Sequence, residues 1–156
     1  MELLLDSGQL PAKNRPLILA VDDDEDNLML LTEVLEAMKC SVISATQGQT
    51  ALKLAQNCQP DLIVLDVMLP DVNGLEVVHH LRQNPQTMTI PVIAVTAMAR
   101  AEDRERVLLA GCDNYISKPY MLDDLEVLVR SYLDQIQSVA SLQKTVVNAT
   151  LLGDRI

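Results

Sequence analysis

Residues 62–66 read Leu-Ile-Val-Leu-Asp. Successive side chains of a strand point to opposite sides of its sheet, so this run has no polar face. Such a strand has to be covered on both sides, which is the situation of a parallel sheet between two layers of helices. The rest of the chain repeats the pattern. Leu17–Val21 and Pro91–Val95 are further short apolar runs, Ser41–Ala45 adds β-branched residues, and Asn114–Ser117 is a short last strand. Between the strands, apolar residues recur at helical spacing. The first set is Leu28, Leu31, Leu35 and Met38. Ala51, Leu52 and Ala55 follow in Gly48–Asn57, ended by Pro60, and then Leu75, Val78 and Leu81, ended by Asn84–Pro85. A charged segment over 100–110 turns Val107, Leu108 and Ala110 inward and stops before Gly111. Leu122, Leu125, Leu128, Val129, Tyr132 and Leu133 give a long final helix. Strand and helix alternate five times. With right-handed crossovers this predicts an α/β doubly wound sheet of five parallel strands.

The chain of 156 residues suits one domain, with an aliphatic core, since it has three Tyr and neither Phe nor Trp. Apolar residues make up 49%, too many for a disordered chain. A net charge of -10 argues against nucleic acid and against anionic membrane surfaces as partners. No apolar run approaches the ~18 residues that would span a bilayer. Met1–Leu5 carries Glu2 and no basic lead-in, so it does not read as a secretory signal. Cys40, Cys58 and Cys112 are widely spaced and form no CxxC, as expected of free, mostly buried thiols in a cytoplasmic protein. Residues 1–15 read as a leader, 16–135 as the domain, and 136–156 as a tail too short for a DNA-binding effector domain. Val139, Leu142, Val146 and Leu151 give that tail a weak amphipathic pattern without caps.

In doubly wound sheets the ligand lies beyond the carboxyl ends of the strands, where the strand order reverses. The residues delivered there are Asp22-Asp23, Asp66, Thr96 and Lys118. Carboxylates converging on one crevice repel each other unless something holds their charge. A hard divalent cation does so: Mg²⁺ takes one or two carboxylates, keeps waters and accepts phosphate oxygens. Lys118 adds a point charge suited to a phosphoryl group, and Thr96 adds a hydroxyl. A carboxylate can itself be the nucleophile and become an acyl phosphate.

The stretches LAVDDDEDN (19–27), LIVLDVMLPDVNG (62–74), PVIAVTA (91–97) and YISKPY (115–120) together resemble the receiver domain of two-component response regulators, over about residues 16–135. The resemblance implies a CheY-like, flavodoxin-like sheet of order 2-1-3-4-5. It implies that Asp66 is the phosphoacceptor, taking a phosphoryl group from a sensor histidine kinase or a histidine phosphotransfer protein. Asp23 and Asp66 would hold Mg²⁺ (or Mn²⁺) directly, Asp22 through a metal-bound water, and the Met68 backbone carbonyl would complete the site. Thr96 and Lys118 would hold the phosphoryl oxygens, and Tyr115 would be the switch aromatic. A cis Lys118–Pro119 bond is implied as well. The protein would be a stand-alone cytoplasmic switch or phosphate relay, and not an enzyme beyond its own phosphorylation and dephosphorylation. Its target would meet the face made by helix 100–110, strand 114–117 and helix 121–135.

Other readings compete for some of these residues. Asp24–Asp26 are expected as helix N-terminal charge. His79-His80 read as surface or packing residues, and Met68 and Met98 as packing or rim of the pocket. Arg100 and Arg104, four apart, are solvated charge or partner contacts. A haloacid-dehalogenase-like phosphatase would use Asp22, Asp24, Thr96, Lys118 and Asp123-Asp124, but Asp26 stands where Thr or Val is needed and Asp66 is left without a role. A phosphorylation-independent binding module that kept its pocket is the remaining alternative.

Overall fold

The computed structural model describes residues 15–97 and 100–136. Its elements alternate as β1 (Leu17–Val21), α1 (Glu25–Ala37), β2 (Ser41–Ala45), α2 (Gly48–Cys58), β3 (Leu62–Asp66), α3 (Gly74–Gln83), β4 (Val92–Thr96), α4 (Ala101–Leu109) and β5 (Asn114–Ser117). A final helix, α5, covers 122–136. All pairings are parallel, in the order β2-β1-β3-β4-β5. The order reverses between β1 and β3, so the crevice opens above their carboxyl ends.

The central strands are buried throughout, as their unbroken aliphatic runs require. One face of the sheet packs Leu19, Ile63 and Leu65 against Ala51 and Ala55 of α2, Val77, Val78 and Leu81 of α3, and Val107 of α4. The other packs Ile18, Val64 and Ile93 against Leu28, Leu31 and Leu35 of α1 and Leu125 and Val129 of α5. Each such aliphatic side chain contributes roughly 1.5–3 kcal/mol by leaving water. The edge strands are only partly covered, β5 along its whole length.

Two packing expectations fail. Leu108 is exposed, with Val107 alone fully buried on α4, because a nine-residue helix at the sheet edge reaches the core along one narrow stripe. Leu122 is exposed as well, since it opens α5 above the rim of the sheet. Cys58 lies exposed at the end of α2, whereas Cys40 and Cys112 are buried. Burial raises the Cys40 thiol and pushes Cys112 up to about 12, which suppresses both thiolates. An aromatic disulfide reagent should therefore titrate one thiol, Cys58, in the native protein and the other two only on unfolding. Rapid loss of two thiols under native conditions would contradict the packing.

The amino ends of the strands are tied by a group that sequence gave no reason to single out. Arg82 of α3 donates from Nε to Gly111 O (3.0 Å), from Nη1 to Ile90 O (2.7 Å) and from Nη2 to Asp113 Oδ2 (2.9 Å). Asp113 Oδ2 also accepts from the Val92 N–H at 2.8 Å. This network fixes the turns before β4 and β5, far from the crevice.

Candidate functional site

Strand register builds the site. Val21 pairs with Leu65, so Asp22 and Asp66 emerge side by side at the crevice. Asp66 pairs with Val95, which sets Thr96 one step beyond, and Thr96 pairs with Ser117, the residue before Lys118. Asp22 and Asp66 are buried to 6% and 3% exposure, Thr96 to 1%, while Asp23 faces solvent. One carboxylate oxygen from each of Asp22, Asp23 and Asp66 lies within 4.8 Å of the others.

Lys118 Nζ reaches Asp66 Oδ2 at 2.9 Å and Asp22 Oδ2 at 3.4 Å. Burial on its own would lower the lysine, but the hydrogen bond and charge of Asp66, with Asp22 behind, outweigh it and raise its pKa. Asp22 moves up as well, although Lys118 is its partner. Burial is the largest cause, the Asp66 charge adds to it, and the Asp24 N–H and Lys118 only partly offset them. The two shifts meet in one pocket, where two buried carboxylates share one ammonium and the exposed Asp23 lies close by. Such a pocket suits a divalent cation with hard oxygen ligands, the exposed Asp23 leaving one side open to water.

The surrounding backbone is held by short hydrogen bonds. Asp22 Oδ1 accepts from Asp24 N (2.9 Å), and Asp24 in turn caps α1 by accepting from Asp26 N and Asn27 N. Asp66 Oδ1 accepts from Met68 N at 2.9 Å. The side chain of Met68 is 57% exposed, so it belongs to the rim and not to the core. Met98 lies outside the described residues. The Lys118–Pro119 bond is cis. His79 and His80 are both exposed on α3 and meet edge to face, away from the pocket.

Residues 18–130 match the family of response regulator receiver domains. The chain is a member of that family. The receiver fold is 41% identical over 116 residues to the polar-differentiation response regulator DivK of Brucella anthropi, a match covering 74% of this chain and 94% of the relative. The DivK of Brucella ovis matches to the same extent. Among solved structures, the Francisella response regulator 1452 receiver domain superposes with a TM-score of 0.73 at 29% identity, covering 78% of this chain and 99% of that one. The chemotaxis response regulator CheY4 of Vibrio cholerae gives 0.72 at 25% identity, with 76% and 98% covered. The doubly wound sheet of order 2-1-3-4-5 is thus both the expected and the observed architecture of this receiver.

Three features of the receiver have no counterpart in the sequence reading. Arg104 of α4 lies over the ring of Tyr115, its Cζ 5.7 Å from the centroid, which gives this arginine a partner within the fold. Asp71, in the stretch after β3 that reads only as a loop, accepts from Gly48 N (2.9 Å) and Gln49 N (3.2 Å). The Gly48 N–H, foremost, holds its carboxyl below the usual range. A groove of about 550 Å³ opens beside Lys118, lined by Leu30 of α1, Pro119, Tyr120 and Leu122.

Proposed function

We propose that this receiver takes a phosphoryl group on Asp66 from a phosphohistidine and uses it to reset the Thr96–Tyr115 edge of the domain. The observation that carries this reading is the buried Asp66 carboxylate held 2.9 Å from Lys118 beside two further aspartates. In the transfer, Asp66 oxygen forms a bond to phosphorus as the P–N bond of the phosphoimidazole breaks, and the imidazole leaves and takes up a proton. Phosphoryl transfer asks for positioning and charge neutralisation more than for covalent chemistry. Lys118 holds a developing phosphoryl oxygen as a point charge, and the Thr96 hydroxyl donates to another. Asp22, Asp23, Asp66 and the Met68 carbonyl would hold Mg²⁺, which neutralises the phosphoryl oxygens facing the carboxylates. The protein has no turnover beyond gaining and losing its own phosphate.

Three aspects of the reading extend beyond the pocket. The groove beside Lys118 is where the donor rests: Leu30 and Leu122 are 49% and 39% exposed on either side of it, next to the acceptor. Leu30→Asp should slow transfer from a histidine phosphotransfer protein by about tenfold, the equivalent of ~1.4 kcal/mol of docking. Phosphorylation by acetyl phosphate, which needs no docking, should stay unchanged. Equal losses with both donors would place the leucine in the fold and not in the docking surface.

Output follows from Thr96. Drawing its hydroxyl onto the phosphoryl group changes the space beside β4, and Tyr115 on the neighbouring strand turns inward, leaving Arg104 uncovered on α4. Phosphorylation thereby biases a two-state edge by the difference in contacts, typically ~1–3 kcal/mol. Beryllofluoride should shift amide NMR signals at Thr96, over residues 100–106 and at Tyr115, and Thr96→Ala should weaken the distant shifts. Shifts confined to the pocket would leave phosphate relay as the function.

The DivK relative is matched over 94% of its length, which supports a signalling role of the same kind for this receiver. Among the described residues no helix is long and apolar enough to cross a membrane, and the net charge of -10 keeps DNA unfavourable, which supports a cytoplasmic signalling role.

A further inference from the structure

Helix α2 begins without a cap of its own. Gln47 occupies the N-cap position, and its side chain makes no cap hydrogen bond. The first N–H groups of a helix need acceptors. Here they find one 22 and 23 residues away in sequence, where Asp71 Oδ1 accepts from Gly48 N and Oδ2 from Gln49 N. Asp71 belongs to the segment 68–73 that joins the end of β3 to α3. The approach is close: a Cβ on Gly48 would lie 2.9 Å from Val77 Cγ2 and 3.2 Å from Val72 Cβ. The far end of the segment is closed by Gly74 N donating to Val67 O at 3.0 Å, and its near end by Met68 N donating to Asp66 Oδ1 at 2.9 Å. The segment is thus fastened at its two ends and, through Asp71, at its middle.

We propose that Asp71 is a positioning residue for cation binding: by anchoring the 68–73 segment to the start of α2, it restrains the backbone of Met68, whose amide is already tied to Asp66 and whose carbonyl is the ligand proposed above. This rests on the metal reading given under Proposed function. Asp71 itself contributes no ligand, and α2 acts as a fixed post. Groups that orient metal ligands without touching the ion typically carry a tenfold or larger share of affinity.

The test uses the full chain and Mn²⁺, whose binding is read by electron paramagnetic resonance, with amide hydrogen exchange at Met68 in the metal-free protein as a second readout. Asp71→Ala should weaken Mn²⁺ binding by about tenfold and speed exchange at Met68. Because that variant also uncaps α2, Gln47→Asp is added to it, which supplies a local N-cap without rebuilding the tether. The double variant should regain thermal stability while Mn²⁺ binding and Met68 exchange stay impaired. Recovery of Mn²⁺ affinity in the double variant would reduce Asp71 to a helix cap and overturn the proposal, as would unchanged affinity in Asp71→Ala. Wild-type protein that binds no Mn²⁺, or binding undiminished by Asp23→Ala, would instead overturn the metal reading and this proposal with it.

Discussion

Asp66→Asn should fold normally and incorporate no phosphate from acetyl phosphate and Mg²⁺. In the proposed reaction an Asp66 oxygen joins phosphorus while acetate departs, and an amide cannot form the acyl phosphate. No described neighbour can replace it. Asp22 emerges from β1 with one oxygen on the Asp24 N–H and the other 3.4 Å from Lys118, whereas Asp66 sits at 2.9 Å from that ammonium. Asp23 is solvent-exposed and lacks the lysine contact. The fold survives because asparagine retains an oxygen for the Met68 N–H and removes one charge from a cluster of three carboxylates. Unfolding temperature should hold or rise, while radiolabel incorporation falls to background. Wild-type incorporation in this variant would remove Asp66 from the chemistry.

Gly74→Ala should produce the largest loss of stability among single-methyl changes. A Cβ at this position would stand 2.4 Å from Val67 Cα, 2.9 Å from Asp66 O and 3.1 Å from Val67 C. All three are backbone atoms, so no side chain can swing away. The added methyl must push the start of α3 off the end of β3, straining the Gly74 N to Val67 O hydrogen bond as well. Overpacking of this kind costs about 3 kcal/mol, which lowers the melting temperature by about 10 °C in a domain of this size. The displacement falls on the residue next to Asp66, so phosphorylation should drop by about a hundredfold, the usual consequence of misplacing a reacting group by an ångström. A melting temperature within 2 °C of wild type would mean that the two backbones are not packed as described, since even ~1 kcal/mol shifts it further.

The sequence discloses the sheet because its signal is local and redundant. Leu62–Leu65 admits no amphipathic reading, and the strands that flank the crevice close on or run directly into a polar residue, Asp22 after β1, Asp66 in β3, Thr96 in β4 and Lys118 after β5. Asp22, Asp66, Thr96 and Lys118 were legible as strand-end positions: Asp66 and Thr96 close β3 and β4, Asp22 and Lys118 follow β1 and β5 by one residue, and parallel register brings these ends together. Asp71, Arg82 and Gly74 were not legible. Each acts through a partner distant in sequence or through close backbone approach, and nothing in LPDVNG distinguishes a turn aspartate from one that caps another helix. Arg104 looked solvated because it is interleaved with Glu102, Asp103 and Glu105, and only the fold sets Tyr115 beneath it. Leu108 was misplaced because spacing reveals a helix's apolar stripe but not how little of a short edge helix the core covers.

The central claim is that the Asp66 carboxylate becomes an acyl phosphate in a cation-dependent reaction. Borohydride reduction of the phosphorylated full chain converts an aspartyl phosphate to homoserine, and peptide mass spectrometry locates it. The expected product is homoserine at position 66, formed with Mg²⁺ and absent when the cation is chelated, with Asp22, Asp23 and Asp71 unchanged. Homoserine at another aspartate, or equal yield without a divalent cation, would contradict this account.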